Sequence, residues 1–371
     1  MRIGIDGRLW SETGVGRYIR NLVWELQNLD KENEYVLFVT TGFKIQDLRL
    51  KNKNWKVVET DIHWHSVAEQ TKFPNILYKE NLDLMHFPYF SLPILYAKPF
   101  VVTIHDLIIN HFPTGKASTL PYPLYMVKRL GYKFVMDHAV KNSQKIIVPL
   151  NSVKEDVIKE FDIPKEKVCV TYEGVESRIK NQESRKNTKY EIPDTKYFVY
   201  VGNAYPHKNL DFLIDGFGEF KKEFTDDVKL ILVGKDDFFY KRLRGRIERE
   251  NIENIVLKHS VSDEELFALY ANATAFVSAS LMEGFGLSPL EAMSSSCPVL
   301  VSDIPSFREV CQDSAFYFDP KSVESLSHAL DNVLSLDSKK RQEHIKNGLA
   351  RVNDFSWKKM AEETLAVYND K

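Results

Sequence analysis

The chain has 371 residues, 43% of them hydrophobic and 27% charged, with a formal net charge of −2. That length exceeds one ordinary core, so two domains are expected, and the balance is that of a soluble globular protein. The near-neutral charge argues against a nucleic-acid binder held by phosphate contacts. Cys169, Cys297 and Cys311 are odd in number and lack metal spacing, so they read as reduced structural thiols of a cytoplasmic protein. Met1 to Asp6 reads as a strand rather than a signal peptide. No apolar run approaches the ~18–20 residues that span a bilayer.

Arg2 to Asp6 opens the chain as a short strand. Gly7, Gly14 and Gly16 follow, then a helix with apolar residues at Ile19, Leu22, Val23 and Leu26. Strand, glycine turn and helix begin a doubly wound α/β domain. Further strands are predicted at 35–40, 56–59, 84–87, 100–104, 145–149 and 168–171, with helices at about 66–80 and 119–140. Residues 176–195 are polar with no core face and read as a linker. A second alternation begins at 197–201. It continues with strands at 228–233, 254–258, 274–278, 298–301 and 315–318, and with helices at 208–224, 238–250, 262–272, 288–296 and 322–335. The end of the chain is helical again, with Trp357, Met360, Ala361, Leu365 and Val367. The predicted class is α/β, two Rossmann-like doubly wound domains facing a central cleft. Their bounds are 1–180 and 190–355.

Four stretches could carry chemistry. Thr13-Gly14-Val15-Gly16-Arg17 follows the first strand but lacks the full Gly-x-Gly-x-x-Gly spacing. It reads as a phosphate-bordering turn or as a plain strand-to-helix turn. Thr103-Ile104-His105-Asp106 ends a buried strand, where an open α/β sheet binds its ligand. A capped turn with a satisfied histidine is the other reading. Asn203-Ala204-Tyr205-Pro206-His207-Lys208-Asn209 opens a helix, and Lys208 there suits a diphosphate, which needs point charge and backbone donors. A solvated lysine is the alternative. His207 is either a neutral donor or a residue of the site's mouth.

The last stretch is Glu283-Gly-Phe-Gly-Leu-Ser-Pro-Leu-Glu291. Gly284 and Gly286 leave its loop bare, so that a ligand can approach the backbone. Ser288-Pro289-Leu290-Glu291 has the form of a capped helix start, with Ser at N-cap and Glu at N3. Glu291 is then a capping-box residue or a partner for a ribose diol. Glu283 has no evident local partner.

At these residues the chain resembles the family 4 retaining glycosyltransferases of the two-Rossmann GT-B architecture. Arg2-Ile3-Gly4-Ile5-Asp6 with Gly14-Val15-Gly16-Arg17-Tyr18 is similar to the family's opening. Glu283 to Glu291 matches its Glu-x7-Glu motif, and Cys297-Pro298-Val299 with Glu309-Val310 continues the pattern. The resemblance implies transfer of a sugar from a nucleotide donor with retained configuration, without metal or other cofactor. By position it implies that Glu283 contacts the donor sugar, with backbone donors from Phe285, Gly286 and Leu287. Glu291 would hold the ribose and Lys208 the diphosphate. Gly14 and Gly16 would border the phosphates, His105 would lie beside the transferred sugar, and 356–371 would cross back onto the first domain.

One departure stands out. Many members have Arg where Asn203 stands, and Pro206-His207-Lys208-Asn209 resembles a Pro-Arg-Lys-Asn subset that transfers mannose from GDP-mannose in surface polysaccharide synthesis. Here that Arg too is replaced, by His207. A glycan or lipid-linked saccharide is the expected acceptor. The 116–133 stretch mixes Lys116, Lys128, Arg129 and Lys133 with Tyr122, Tyr125 and Tyr132. It reads as an ordinary surface helix or as a peripheral contact with the inner face of a membrane. A UDP-sugar donor, a nucleotide-sugar epimerase and a catalytically silent sugar-nucleotide binder are the rival readings.

Overall fold

The computed structural model describes residues 1–42, 48–112, 122–175, 192–224 and 227–370. Most of the predicted linker, and Lys116 with it, lies outside the described residues. The chain divides into two compact units. The first comprises Met1 to His111, the stretch that ends at Gly174, and the chain from Ser356 onward; the second spans Val175–Phe355.

The first unit is built on β1 (Arg2–Asp6), β2 (Glu34–Thr40), β3 (Trp55–Thr60), β4 (Leu84–Phe87), β5 (Phe100–Thr103), β6 (Lys145–Val148) and β7 (Val168–Val170). They form one sheet in the order β3-β2-β1-β4-β5-β6-β7. Every pairing in it is parallel. Strands buried on both faces read as continuous apolar runs; β2 does so over Tyr35 to Val39, while β4 is buried throughout but carries His86. Helix Gly14–Leu29 turns Tyr18, Ile19, Leu22, Val23 and Leu26 inward. Against it packs the terminal helix Trp357–Asn369, which buries Trp357, Met360, Ala361, Thr364 and Tyr368. Gly174 permits that return, because a Cβ there would collide with the backbone nitrogen of Trp357.

The second unit holds β8 (Lys196–Val201), β9 (Val228–Val233), β10 (Ile255–Lys258), β11 (Ala275–Ser278), β12 (Val299–Ser302) and β13 (Phe316–Phe318). Their order is β10-β9-β8-β11-β12-β13, again with parallel pairings. This is the six-stranded doubly wound order, in which the chain reverses direction across the sheet between β8 and β11. Helices Leu210–Glu223 and Val323–Leu334 pack so closely that a Cβ on Gly216 would meet Leu326.

Three details differ from the expectation. The helix predicted at 66–80 is two helices, Val67–Thr71 and Phe73–Lys79. Pro74 lies in the first turn of the second, where its missing N–H is harmless, whereas a continuous helix would need that donor. Helices Asn151–Phe161, Pro305–Cys311 and Ser338–Val352 complete the alternation. The helix after the glycine loop is Leu287–Ser294, and its N-cap is Gly286 at φ 87°, ψ 61°, not Ser288.

Candidate functional site

The loops that follow β8 and β11 carry the candidate residues of the second unit. These two strands are hydrogen-bonded neighbours at the point of reversal, so their following loops emerge side by side. Leu281 N–H donates to the His207 carbonyl at 2.8 Å and ties the loops together. Lys208 lies in a tight turn, Pro206–Lys208, and the helix proper starts at Leu210. Asn209 at φ 59° makes the corner, and its side chain donates to the Pro320 carbonyl.

Lys208 Nζ donates to both carboxylate oxygens of Glu283, 2.7 Å from each. Ser280 Oγ donates to Glu283 Oε1 at 2.7 Å, and Ser306 Oγ donates to the Glu283 carbonyl at 2.7 Å. The expectation that Glu283 lacks a local partner is therefore corrected. Its partners come from the turn after β8, from its own loop and from the helix after β12. Burial pushes the Glu283 carboxyl up, but the Lys208 charge and these donors outweigh it, and the net is below the usual carboxylate range. With two of three ammonium hydrogens on Glu283, Lys208 has one donor direction left for another ligand.

Gly286 is the pivot of the loop. Its φ of 87° is left-handed, and a Cβ there would sit 3.0 Å from the Phe307 ring. Phe285 buries its side chain against Phe355, with ring centroids 5.5 Å apart, so only its backbone is available to a ligand. Leu287 and Ser288 are the first helical residues, and Pro289 has no N–H. Hence Glu291 stands at the fifth helical position, past the reach of a capping box. That corrects the capping reading. Asn203 is structural in part. Its carbonyl accepts from Tyr200 Oη at 2.7 Å, and its Oδ1 accepts from Tyr205 N–H at 3.3 Å. His207 is buried, and burial and then Lys208 push it down to about 4, so it is neutral at pH 7.

In the first unit, Gly14 and Gly16 separate. Gly14 is exposed at the helix start, with open space where a Cβ would stand. Gly16 is buried, and a Cβ there would lie 2.7 Å from the carbonyl oxygens of Leu9 and Trp10. Gly16 is thus a packing glycine.

His105 follows β5 and is held at both nitrogens. Nδ1 lies 3.1 Å from Glu173 Oε1, and Nε2 lies 3.0 Å from the Pro88 carbonyl. Both partners are acceptors, an arrangement that favours hydrogen on both nitrogens. Burial pulls its proton affinity down, but Glu173 outweighs burial, and the net is above the ordinary histidine value. Both contacts fix the orientation of the ring. Tyr18 stands edge-on to it, with centroids 5.0 Å apart. Behind lies a buried chain in which Tyr18 Oη meets Thr103 Oγ1, Thr103 meets His86 Nε2, and His86 Nδ1 meets Tyr368 Oη. Burial, and then the charge of His105, push His86 down to about 3. Glu173 and the His86–Tyr368 pair were not singled out in the sequence. Glu173 follows β7, and that strand-end position was the available signal.

Among the described residues, no group of three or more His, Cys, Asp or Glu side chains is placed to hold a metal ion.

Two family models match the sequence. Glycosyltransferase family 4 covers residues 13–178, and glycosyl transferases group 1 covers 180–351. The O-antigen chain mannosyltransferase RfbU of Salmonella typhimurium is 29% identical over 83% of this chain and 75% of its own length. The O-antigen chain mannosyltransferase B of Escherichia coli is 28% identical over 96% of both. Among solved structures, Anabaena HepE in complex with UDP and glucose superposes with TM-score 0.77 at 14% identity, covering 100% of both chains. WaaG, a glycosyltransferase involved in lipopolysaccharide biosynthesis, superposes with TM-score 0.71 at 14% identity, also covering 100% of both. At that identity these two carry the fold alone, and the fold is GT-B.

Proposed function

The chain belongs to the family 4 glycosyltransferases, and on that premise we propose that it moves mannose from GDP-mannose to a glycan or lipid-linked acceptor in surface polysaccharide synthesis. The names of the O-antigen relatives support the sugar and the setting. The observation that carries the reading is the Lys208–Glu283 pair beside the Gly286 turn and the helix that starts at Leu287. It sets an ammonium, a carboxylate and free helix-end amides on adjoining loops. A sugar diphosphate needs those three: charge and amides for the phosphates, a carboxylate for sugar hydroxyls. Glu291 is assigned the ribose hydroxyls by its place in the Glu-x7-Glu motif.

The proposed step is same-face substitution with retention. The bond from the anomeric carbon to the diphosphate oxygen breaks, and the acceptor oxygen attacks from the side the diphosphate leaves. The leaving diphosphate takes the acceptor's proton. Lys208 and the loop amides stabilise the charge that develops on it. No metal enters this scheme. Neutral His207 and Asn203 supply no second cation, which costs about 1.5–3 kcal/mol of phosphate binding relative to a site with one more charge-assisted contact.

A thermal-shift screen against GDP-mannose, UDP-glucose, UDP-N-acetylglucosamine, UDP-galactose and the free diphosphates tests the donor. GDP-mannose is expected to give the largest shift. A larger shift with a UDP-sugar overturns the base. Product analysis with donor alone separates transfer from epimerisation, since an epimerised sugar nucleotide would refute transfer. Donor binding without turnover across a broad acceptor panel would instead mark a silent binder. A trapped covalent glycosyl-enzyme, or loss of rate on chelation, would remove the step as drawn.

A second observation bears on where the acceptor is met. Helix Tyr122–Asn142 buries Met136, Ala139 and Val140. It exposes Leu124, Val127, Leu130 and Phe134, each more than half accessible. Those four recur at intervals of three and four, so they form one stripe, opposite the buried face. Lys128 and Lys133 are exposed on either side of it. An apolar stripe flanked by lysines suits an anionic bilayer surface, and no described helix is long and apolar enough to cross one. We assign this face to peripheral contact with anionic lipid. Pelleting with anionic vesicles should fall sharply in Leu130→Glu/Phe134→Glu, and absence of wild-type pelleting at low salt would end the idea.

A further inference from the structure

The loop after β3 carries an arrangement that the transfer chemistry does not use. His65 has φ 58°, a left-handed backbone that a residue with a Cβ rarely adopts. Its backbone N–H donates to Glu69 Oε2 at 3.0 Å and to Ser91 Oγ at 3.3 Å. Ser66 and Glu69 have capping-box spacing, and Ser66 Oγ accepts the Glu69 N–H at 3.1 Å. The Glu69 carboxylate reaches one residue further back than a capping box would, to His65, and so fixes the unusual turn.

Glu69 is itself anchored. Arg8 Nη2 donates to Glu69 Oε1 at 2.6 Å, and Arg8 Nη2 and Nε donate to the Asp6 carboxylate at 2.7 and 2.9 Å. Asp6, Arg8 and Glu69 are all buried, and the Arg8 guanidinium lies 3.9 Å from the centroid of the Phe73 ring. Thus a three-charge buried network running from the end of β1 holds a strained backbone in place. Strain persists only where the surroundings over-determine it, and such positions gather at ligand sites.

What the network holds is an aromatic wall. His65 is exposed and Trp64 half-buried, with ring centroids 4.9 Å apart. Tyr89 and Phe90, after β4, stand 5.9 and 5.3 Å from the His65 ring. Tyr132 backs Phe90 at 4.9 Å. All of these chain positions except Tyr132 follow C-terminal strand ends of the parallel sheet, the edge at which such sheets bind ligands. The wall adjoins His105, whose Nε2 bonds the carbonyl of Pro88, next to Tyr89. Aromatic surface rimmed by a few fixed polar groups matches a pyranose ring, which has one apolar C–H face and an edge of hydroxyls.

We propose that Trp64 and His65, backed by Tyr89 and Phe90, form a stacking platform for a pyranose ring of the acceptor. The inference rests on the transferase reading for the word acceptor, but not for the binding itself. The Asp6–Arg8–Glu69 network acts as its positioning scaffold and touches no sugar.

Saturation-transfer NMR on the full chain tests it. The probes are methyl α-D-mannopyranoside, methyl α-D-glucopyranoside, methyl β-D-galactopyranoside and methyl N-acetyl-β-D-glucosaminide. At least one is expected to receive saturation on its C–H face, falling about fivefold or more in His65→Gly and in Trp64→Ala. His65→Gly removes the ring while suiting the left-handed backbone, so it stays folded if Trp64→Ala does not. Undiminished saturation in His65→Gly, or none with any of the four in the wild type, overturns the platform. Donor-induced thermal shifts are measured on the same samples. Donor shifts without sugar saturation sink the platform and leave the transferase reading intact, and saturation without donor shifts does the reverse.

Discussion

The ammonium of Lys208 sits 2.7 Å from each carboxylate oxygen of Glu283, across a sequence separation of 75 residues. Both side chains are largely buried, at 15% and 12% exposed, so neither is solvated well enough to be indifferent to losing the other. Lys208→Ala is expected to weaken free-diphosphate binding about 10–100-fold, the equivalent of one charge-assisted contact. Isothermal titration with the diphosphate checks it, and unchanged affinity in a folded variant would free Lys208 of that role.

The same pair predicts an acid dependence. The Glu283 carboxyl is held below the usual range, so its contribution to stability is complete above the ordinary carboxylate value. It is lost as pH falls through the depressed value. Glu283→Gln should lower stability by about 1–3 kcal/mol at neutral pH. The gap from wild type should close as pH falls through that depressed value. Thermal denaturation across pH reads this directly, and a gap that persists undiminished in acid would contradict it.

His105 predicts the opposite trend. Its proton affinity is raised by Glu173, so its stabilising contribution is complete below the unfolded histidine value of about 6.5. It fades as pH rises through the raised folded value. Glu173→Gln should therefore destabilise most below the unfolded histidine value and least above the raised folded value. Nitrogen-15 spectra of the histidine rings give a second readout. The wild type should show His105 with both nitrogens protonated at neutral pH, and a neutral ring there would refute the imidazolium.

Three glycines separate by role. Gly16→Ala forces a methyl against two backbone carbonyls and should cost about 1–3 kcal/mol. Gly286→Ala forces a left-handed residue with a Cβ and should cost about 1–2 kcal/mol. Gly14→Ala meets open space, and its stability should hold while donor affinity falls if the helix start borders phosphates. Melting temperature with and without donor distinguishes the three.

Tyr368→Phe leaves Nδ1 of the fully buried His86 without a partner. A cost of about 1–3 kcal/mol is expected, read from chemical denaturation. A neutral outcome would mean that the terminal helix is held by its apolar face alone.

Much of the architecture was legible. Apolar runs such as Val36 to Val39 or Leu230 to Val233 are buried strands because only a two-sided parallel sheet accepts them. The Glu283–Glu291 spacing marked the family. Its local reading was less secure. Ser288-Pro289-Leu290-Glu291 has capping chemistry, yet the helix begins at Leu287 behind a left-handed Gly286. A glycine that can turn the chain takes the cap position, and the serine becomes helical. The 66–80 helix was read as continuous because its apolar spacing carries through, while Pro74 sets a new start.

The sequence by itself determined the two alternations of strand and helix, the glycine turns and the positions of the chemically able side chains. Those follow from periodicity and from backbone geometry that a few neighbouring residues enforce. Only the tertiary structure decided who faces whom. It gave Glu283 to Lys208, held His105 between Glu173 and Pro88, and separated Gly14 from Gly16. Each of these outcomes depends on charges and carbonyls brought together from distant strand ends. A carboxylate's proton affinity and a glycine's necessity are set by neighbours in space, which local pattern does not encode.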